Sequence, residues 1–202
     1  ATAGATVGHG LSIAPDMIIT KSRDAAESWE VNHTSLAIDY TIRLNSSAAQ
    51  RDSADYNDTA PAATVFTLGE YTGTNATGDD YISYCFHSVD GYSKMGSYVG
   101  NSNADGTFIY TGFRPAWVLV KRATGADSWY MYDTARNEYN VMNKSLLADT
   151  SAAEGTDGAG AAVDYVSNGF KWRLNSGSRN DSTETYIYLA FAETPFKYSN
   201  AR

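Results

Sequence analysis

The chain has 202 residues, enough for one large β domain or two small ones. Hydrophobic residues make up 43%, which excludes a disordered chain, while charged residues reach only 19%. A net charge of −8 without any Lys/Arg cluster argues against nucleic acid and anionic membrane as partners, and no stretch approaches the roughly eighteen apolar residues of a membrane span.

The chain opens Ala-Thr-Ala-Gly, with neither Met nor a signal peptide, and reads as processed or cut from a longer protein. Its first clear pattern is a repeat. Ala14-Pro15-Asp16-Met17-Ile18-Ile19-Thr20-Lys21 returns 100 residues later as Arg114-Pro115-Ala116-Trp117-Val118-Leu119-Val120-Lys121, and Ser28-Trp29 returns as Ser128-Trp129. Ser47-Ala48-Ala49 matches Ser151-Ala152-Ala153. Tyr81-Ile82 and Phe86 match Tyr186-Ile187 and Phe191. Thr6-Val7-Gly8-His9-Gly10 aligns with Phe108-Ile109-Tyr110-Thr111-Gly112. The segment Gly96-Ser97-Tyr98-Val99-Gly100 has no counterpart in this sequence ahead of Ala1, so the first copy is expected to be short of its opening strand, through either a missing upstream region or a strand supplied from elsewhere. The repeat divides the chain at 1–93 and 94–202.

In the second copy the alternation of apolar and polar residues predicts strands over 117–121, 128–133, 139–142, 162–166, 169–174 and 185–191. Phe170, Trp172 and Leu174 face one way, Lys171 and Arg173 the other. Ser167-Asn168-Gly169 is the strongest hairpin signal, since Asn-Gly tolerates the positive φ of a type I′ turn. A short helical piece is expected near 143–147 and a mobile loop over the Gly/Ala/Ser/Thr-rich 150–160. No window keeps a 3.6-residue apolar period. Alternating strands bury their apolar face only by stacking sheets, so the expected fold is an all-β sandwich in two tandem copies packed together.

Few residues point to catalysis. His9, His33 and His87 form no metal-spaced pair, and no nucleophile elbow or paired-carboxylate strand motif occurs, so no enzyme is expected. Cys85, the single cysteine, lies in a strand with His87 two residues on, on the same face; a buried thiol is the plain reading. Asn101-Ser102-Asn103-Ala104-Asp105-Gly106 places oxygens at Asn101, Asn103 and Asp105 like the first half of a calcium loop. The late acidic ligand is missing, since position twelve is Gly112, and an ordinary Asn/Asp/Gly turn is the competing account. Asn75-Ala76-Thr77-Gly78-Asp79-Asp80 reads the same way. Trp29 and Trp129, at equivalent repeat positions, are expected in the core. Tyr92, Tyr98, Tyr110 and Tyr139, in loops or at edges, are the candidates for contact with a partner.

Val7-Gly8-His9-Gly10-Leu11, Gly91-Tyr92-Ser93-Lys94, Tyr110-Thr111-Gly112-Phe113-Arg114-Pro115-Ala116-Trp117 and Ala192-Glu193-Thr194-Pro195-Phe196-Lys197-Tyr198 resemble repeat domains near the ends of bacteriophage virion proteins. Such domains are described as concanavalin-like (lectin/glucanase-type) jelly-roll sandwiches in tail-fibre-like proteins. The resemblance implies an extracellular virion protein among other virion proteins, without a catalytic motif. It implies a tail-fibre or head-fibre module that touches host-surface glycans, with a homotrimer as the expected oligomer. The alternative is a capsid decoration or tail adaptor with a purely structural role.

Overall fold

A computed structural model describes residues 1–157, 162–175 and 177–196. The 150–160 loop expected from composition lies partly outside these residues, as does the C-terminal run after Phe196. The chain falls into two compact units, Ala1–His87 and Ser88–Arg202. Both are built from antiparallel sheets, and the only α-helices among the described residues are two of four residues each.

The first unit contains β1 (Ala5–Gly8), β2 (Met17–Ser22), β3 (Glu30–His33), β4 (Tyr40–Arg43), β5 (Arg51–Asp52), β6 (Val65–Leu68), the one-turn helix α1 (Thr72–Asn75) and β7 (Tyr81–Phe86). A five-stranded sheet runs in the order β5-β4-β3-β2-β7, and β1 pairs with β6 in a two-stranded sheet. Ile18 of β2, Phe66 and Leu68 of β6 and Tyr56 form a small core, with Cys85 of β7 packed against it. β7 ends its sheet.

The second unit contains β8 (Ser93–Val99), β9 (Phe108–Tyr110), β10 (Pro115–Arg122), β11 (Trp129–Asp133), β12 (Lys144–Leu147), β13 (Gly155–Thr156), β14 (Val163–Val166), β15 (Gly169–Trp172), helix α2 (Gly177–Asn180) and β16 (Thr185–Ala192). Six strands run β13-β12-β11-β10-β16-β8 and three run β14-β15-β9. Between them lies one aromatic core. Tyr98, Val118, Val120, Tyr132, Tyr186, Tyr188 and Ala190 come from the large sheet; Ile109, Val163, Tyr165, Phe170 and Trp172 come from the small one. This is the consequence of period-two alternation: β16 sends Tyr186, Tyr188 and Ala190 inward. Tyr98 stacks on Tyr186 with ring centroids 5.0 Å apart.

Three expectations change. The helical piece near 143–147 is strand β12, whose Leu146 and Leu147 pair with Met131 and Tyr130. Neighbouring backbone overrides a weak local preference. The strand expected at 139–142 is irregular, holding one bridge between Met142 and Val163. The hairpin at 166–169 forms, with Val166 opposite Gly169, but neither Ser167, Asn168 nor Gly169 has a positive φ, so the turn is not type I′. Gly169 is needed for another reason: a Cβ there would sit 2.1 Å from the Ile109 carbonyl oxygen of β9.

Candidate functional site

The aromatic candidates separate into three places. Tyr110 is 64% exposed and, with Asp90, Gly91, Lys94, Thr111, Gly112 and Phe196, lines an open depression of about 430 Å³ in the second unit. Tyr92 borders it, stacked on Phe196 at 5.6 Å and edge-on to Phe191 at 5.8 Å. The Phe196 amide donates to the Gly91 carbonyl at 2.6 Å, which fixes this ring beside the loop. The depression therefore combines exposed ring faces with an acidic and a basic side chain. Tyr139 is also exposed but lies apart, beside Thr134, Glu138 and Glu193. Tyr98 corrects the sequence reading: it is buried in the core and its phenol donates to the Arg179 carbonyl at 2.8 Å. Its strand alternates, so Tyr98 points inward while the adjacent Val99 is exposed.

The loop considered for calcium holds its oxygens in local bonds. Asn101 Oδ1 accepts from the Asn103 amide and from Asn180 Nδ2, and Asn103 Oδ1 accepts from the Asp105 amide. Asp105 faces Lys171 Nζ at 2.7 Å and Arg173 at 3.6 Å, and the bond to Lys171 holds its carboxyl below the usual range. These are Asx turns closed by an ion pair. Among the described residues no group of three His, Cys, Asp or Glu converges as a metal site. Cys85 is half-buried, and burial raises its thiol, which favours the protonated, unreactive form.

A second concavity lies in the first unit. Val7, Phe66, Leu68, Thr20, Thr74, Asn75, Tyr81, Ser83 and Cys85 line a cleft of about 400 Å³ along the inner face of β7. Its floor is bonded: Tyr56 Oη donates to Thr20 Oγ1 at 3.0 Å, and Thr20 and Ser83 hydroxyls lie 2.9 Å apart. Sequence reading missed it, because a cleft between sheets is set by strand count and side-chain size rather than by a motif.

A family model described as a domain of unknown function (DUF7483) matches residues 1–195. The chain belongs to this family. No curated protein and no solved structure matches it.

Within this DUF7483 chain, each unit also carries a buried ionic group that the sequence did not reveal. In the first, Glu30 on β3 is fully buried and meets Arg43 at 3.0 Å and Arg51 at 2.9 Å, while Arg51 reaches Asp55 at 2.5 Å. Desolvation raises the Glu30 carboxyl despite these partners. The two acids and two bases balance, and Tyr71 closes the group through Arg43 at 2.9 Å. In the second, Arg179 bonds Asp157 and Tyr132 and lies 4.2 Å over the Tyr130 ring. Pairing of this kind organises neighbouring strands, although Arg51 Nε and Arg179 Nε stay buried without a hydrogen-bond partner among the described residues.

Proposed function

We propose that the chain is a duplicated concanavalin-like jelly-roll module displayed on the exterior of a phage particle, where its second unit contacts host-surface glycans. The observation that carries the contact is the Tyr92, Tyr110 and Phe196 depression flanked by Asp90 and Lys94. A sugar offers apolar C–H faces and a rim of hydroxyls; exposed rings meet the first and charged groups bond the second. Shallow sites of this type bind weakly singly and gain from repetition, which a homotrimeric fibre beside other virion proteins supplies. The phage assignment is supported by the residue phrases quoted above.

The duplication is supported by matching ladders. Ile18 pairs with Cys85 and Thr20 with Ser83 as Val118 pairs with Ala190 and Val120 with Tyr188. Val7 opposes Phe66 as Ile109 opposes Phe170. Tyr81 Oη donates to the Thr72 carbonyl at 2.5 Å as Tyr186 Oη donates to Gly177 at 2.6 Å.

The test is a glycan array followed by saturation-transfer NMR on the ligand found. Tyr110→Ala is expected to weaken binding about tenfold, the scale of one lost ring contact, and Tyr139→Ala to leave it unchanged. Loss on Tyr139→Ala alone moves the glycan site away from the Tyr110 depression, and a protein that binds no glycan while incorporated stoichiometrically in the particle favours the capsid-decoration or tail-adaptor role.

A further inference from the structure

In the second unit β9 is an outer strand of the small sheet, in the order β14-β15-β9. Its three residues alternate. Ile109 goes to the core, while Phe108 and Tyr110 face the other way and stay 44% and 64% exposed. Residues two apart on one face of a strand stand about 7 Å apart. The register sets Phe108 opposite Lys171 and Tyr110 opposite Gly169, so Tyr110 has no side chain facing it across the ladder. Both rings are backed by glycine. A Cβ on Gly169 would lie 3.0 Å from Phe108 Cε2, and one on Gly112 would lie 3.7 Å from Tyr110 Oη and 3.9 Å from its Cζ. Each ring therefore leans on bare backbone and turns its other side to solvent. Single exposed rings are ordinary on a protein surface. Two in line on one strand face, both resting on glycine and the second of them lining the depression, make a platform.

Each ring also has one acid and one base beside it. Tyr110 shares its depression with Asp90 and Lys94. Lys171, across the ladder from Phe108, holds the exposed Asp105 at 2.7 Å. Arg173, two residues further on, is tied to Asp164 at 2.6 Å. The charges thus cancel at each ring. A ligand carboxylate drawn to Lys94 or Lys171 also meets Asp90 or Asp105, and a ligand ammonium drawn to the acids meets the lysines. A hydroxyl suits both partners, since it donates to a carboxylate and accepts from an ammonium.

We infer that Phe108 is a second sugar subsite, and that the site takes a neutral oligosaccharide of at least two rings laid along β9. One sugar ring covers Tyr110 in the depression and the next covers Phe108, with hydroxyls bonding to Asp90 and Lys94 at the first and to Asp105 and Lys171 at the second. This rests on the glycan contact proposed above and extends it to the class and length of the glycan. The two subsites share one strand, so the β9–β15 ladder fixes their spacing. A monosaccharide fills the depression alone and draws nothing from Phe108. Phe108 is therefore the residue that selects for length, and the matched Asp/Lys pairs select against charge.

The experiment places the full chain on an array of glucose, galactose, mannose and N-acetylglucosamine oligomers, from monosaccharide to hexasaccharide, beside uronate-containing and sialylated glycans. The series that binds is then titrated by saturation-transfer NMR. Neutral oligomers are expected to bind, with affinity rising about tenfold from monosaccharide to disaccharide, the scale of one added ring contact. Phe108→Leu keeps an apolar cover over Gly169 and removes the ring. It is expected to erase that rise while leaving monosaccharide binding and the thermal midpoint unchanged, and Phe108→Trp is expected to keep the rise. A rise that survives Phe108→Leu, a loss of monosaccharide binding in the same variant, or a preference for the acidic glycans overturns the inference and leaves the Tyr110 contact standing. Absence of binding to every glycan removes the Tyr110 contact itself, and the second subsite with it.

Discussion

Lys121 shows how one side chain can set the pH response of a β core. It is fully buried on β10, and desolvation lowers its ammonium from 10.5 to about 8, with Asp127 and Asp149 opposing the shift. Between these values the unfolded chain holds a proton that the folded chain has released, so this group's contribution to stability rises with pH across that window. Lys121→Met is therefore expected to stabilise the protein at neutral pH by up to ~3 kcal/mol, with the gain shrinking toward pH 10.5; urea unfolding at the two pH values checks it, and an equal gain at both contradicts it. The buried tyrosines act oppositely. Burial pushes Tyr98, Tyr132 and Tyr165 well above the ordinary phenol value and Tyr188 up to about 12. Above pH 10 unfolded phenols ionise and these do not, so stability falls there, and phenolate absorbance is expected to rise together with unfolding. Asn180, fully buried and bonded to Asn101, Asn103 and Leu174, is expected to cost about 2 kcal/mol on substitution by Ala, read from the denaturation midpoint. Composition signalled that tyrosine matters but not where. Tyr98 reads as an edge residue because its strand is full of small polar neighbours, and its burial comes from Tyr186 and Trp172, seventy or more positions away in sequence.

Elements with strong alternation were legible, and those without it were not. β10, β11, β14, β15 and β16 all appear where period two placed them, because each has one face committed to a core. β12 was misread because Asn-Lys-Ser-Leu-Leu carries no alternation; its state is imposed by pairing with β11. Among glycines, Gly169 was read as a turn residue, yet its role is to let β15 approach β9. Gly169→Ala is expected to disrupt that ladder and cost about 2 kcal/mol or more by overpacking against backbone. Gly155→Ala, whose Cβ would find only ordinary contact with Ser145 Oγ at 3.5 Å, is the matched control and is expected to be close to neutral in thermal unfolding. Similar losses at both positions would remove the close-approach account. Of the candidate site, Tyr92 and Tyr110 were legible as exposed rings. Phe196 was not singled out, because only the fold brings the chain end beside the 90–94 loop.

At the scale of the whole molecule, the repeated phrases made two β units legible, and the boundary of the first compact unit falls at His87. The cleft of the first unit, lined by Phe66, Leu68, Asn75 and Tyr81, was not legible in those phrases and required coordinates. Among the described residues β16 has a strand on both sides and β7 on one, so the two strands differ in solvent contact. Site-resolved hydrogen exchange on the full chain measures this directly. The β16 amides, bonded to β10 on one side and β8 on the other, are expected to exchange slowly throughout, whereas β7, bonded only to β2, shows slow and fast amides in alternation. Uniform protection along β7 contradicts this strand order, in which β7 has a neighbour on one side only.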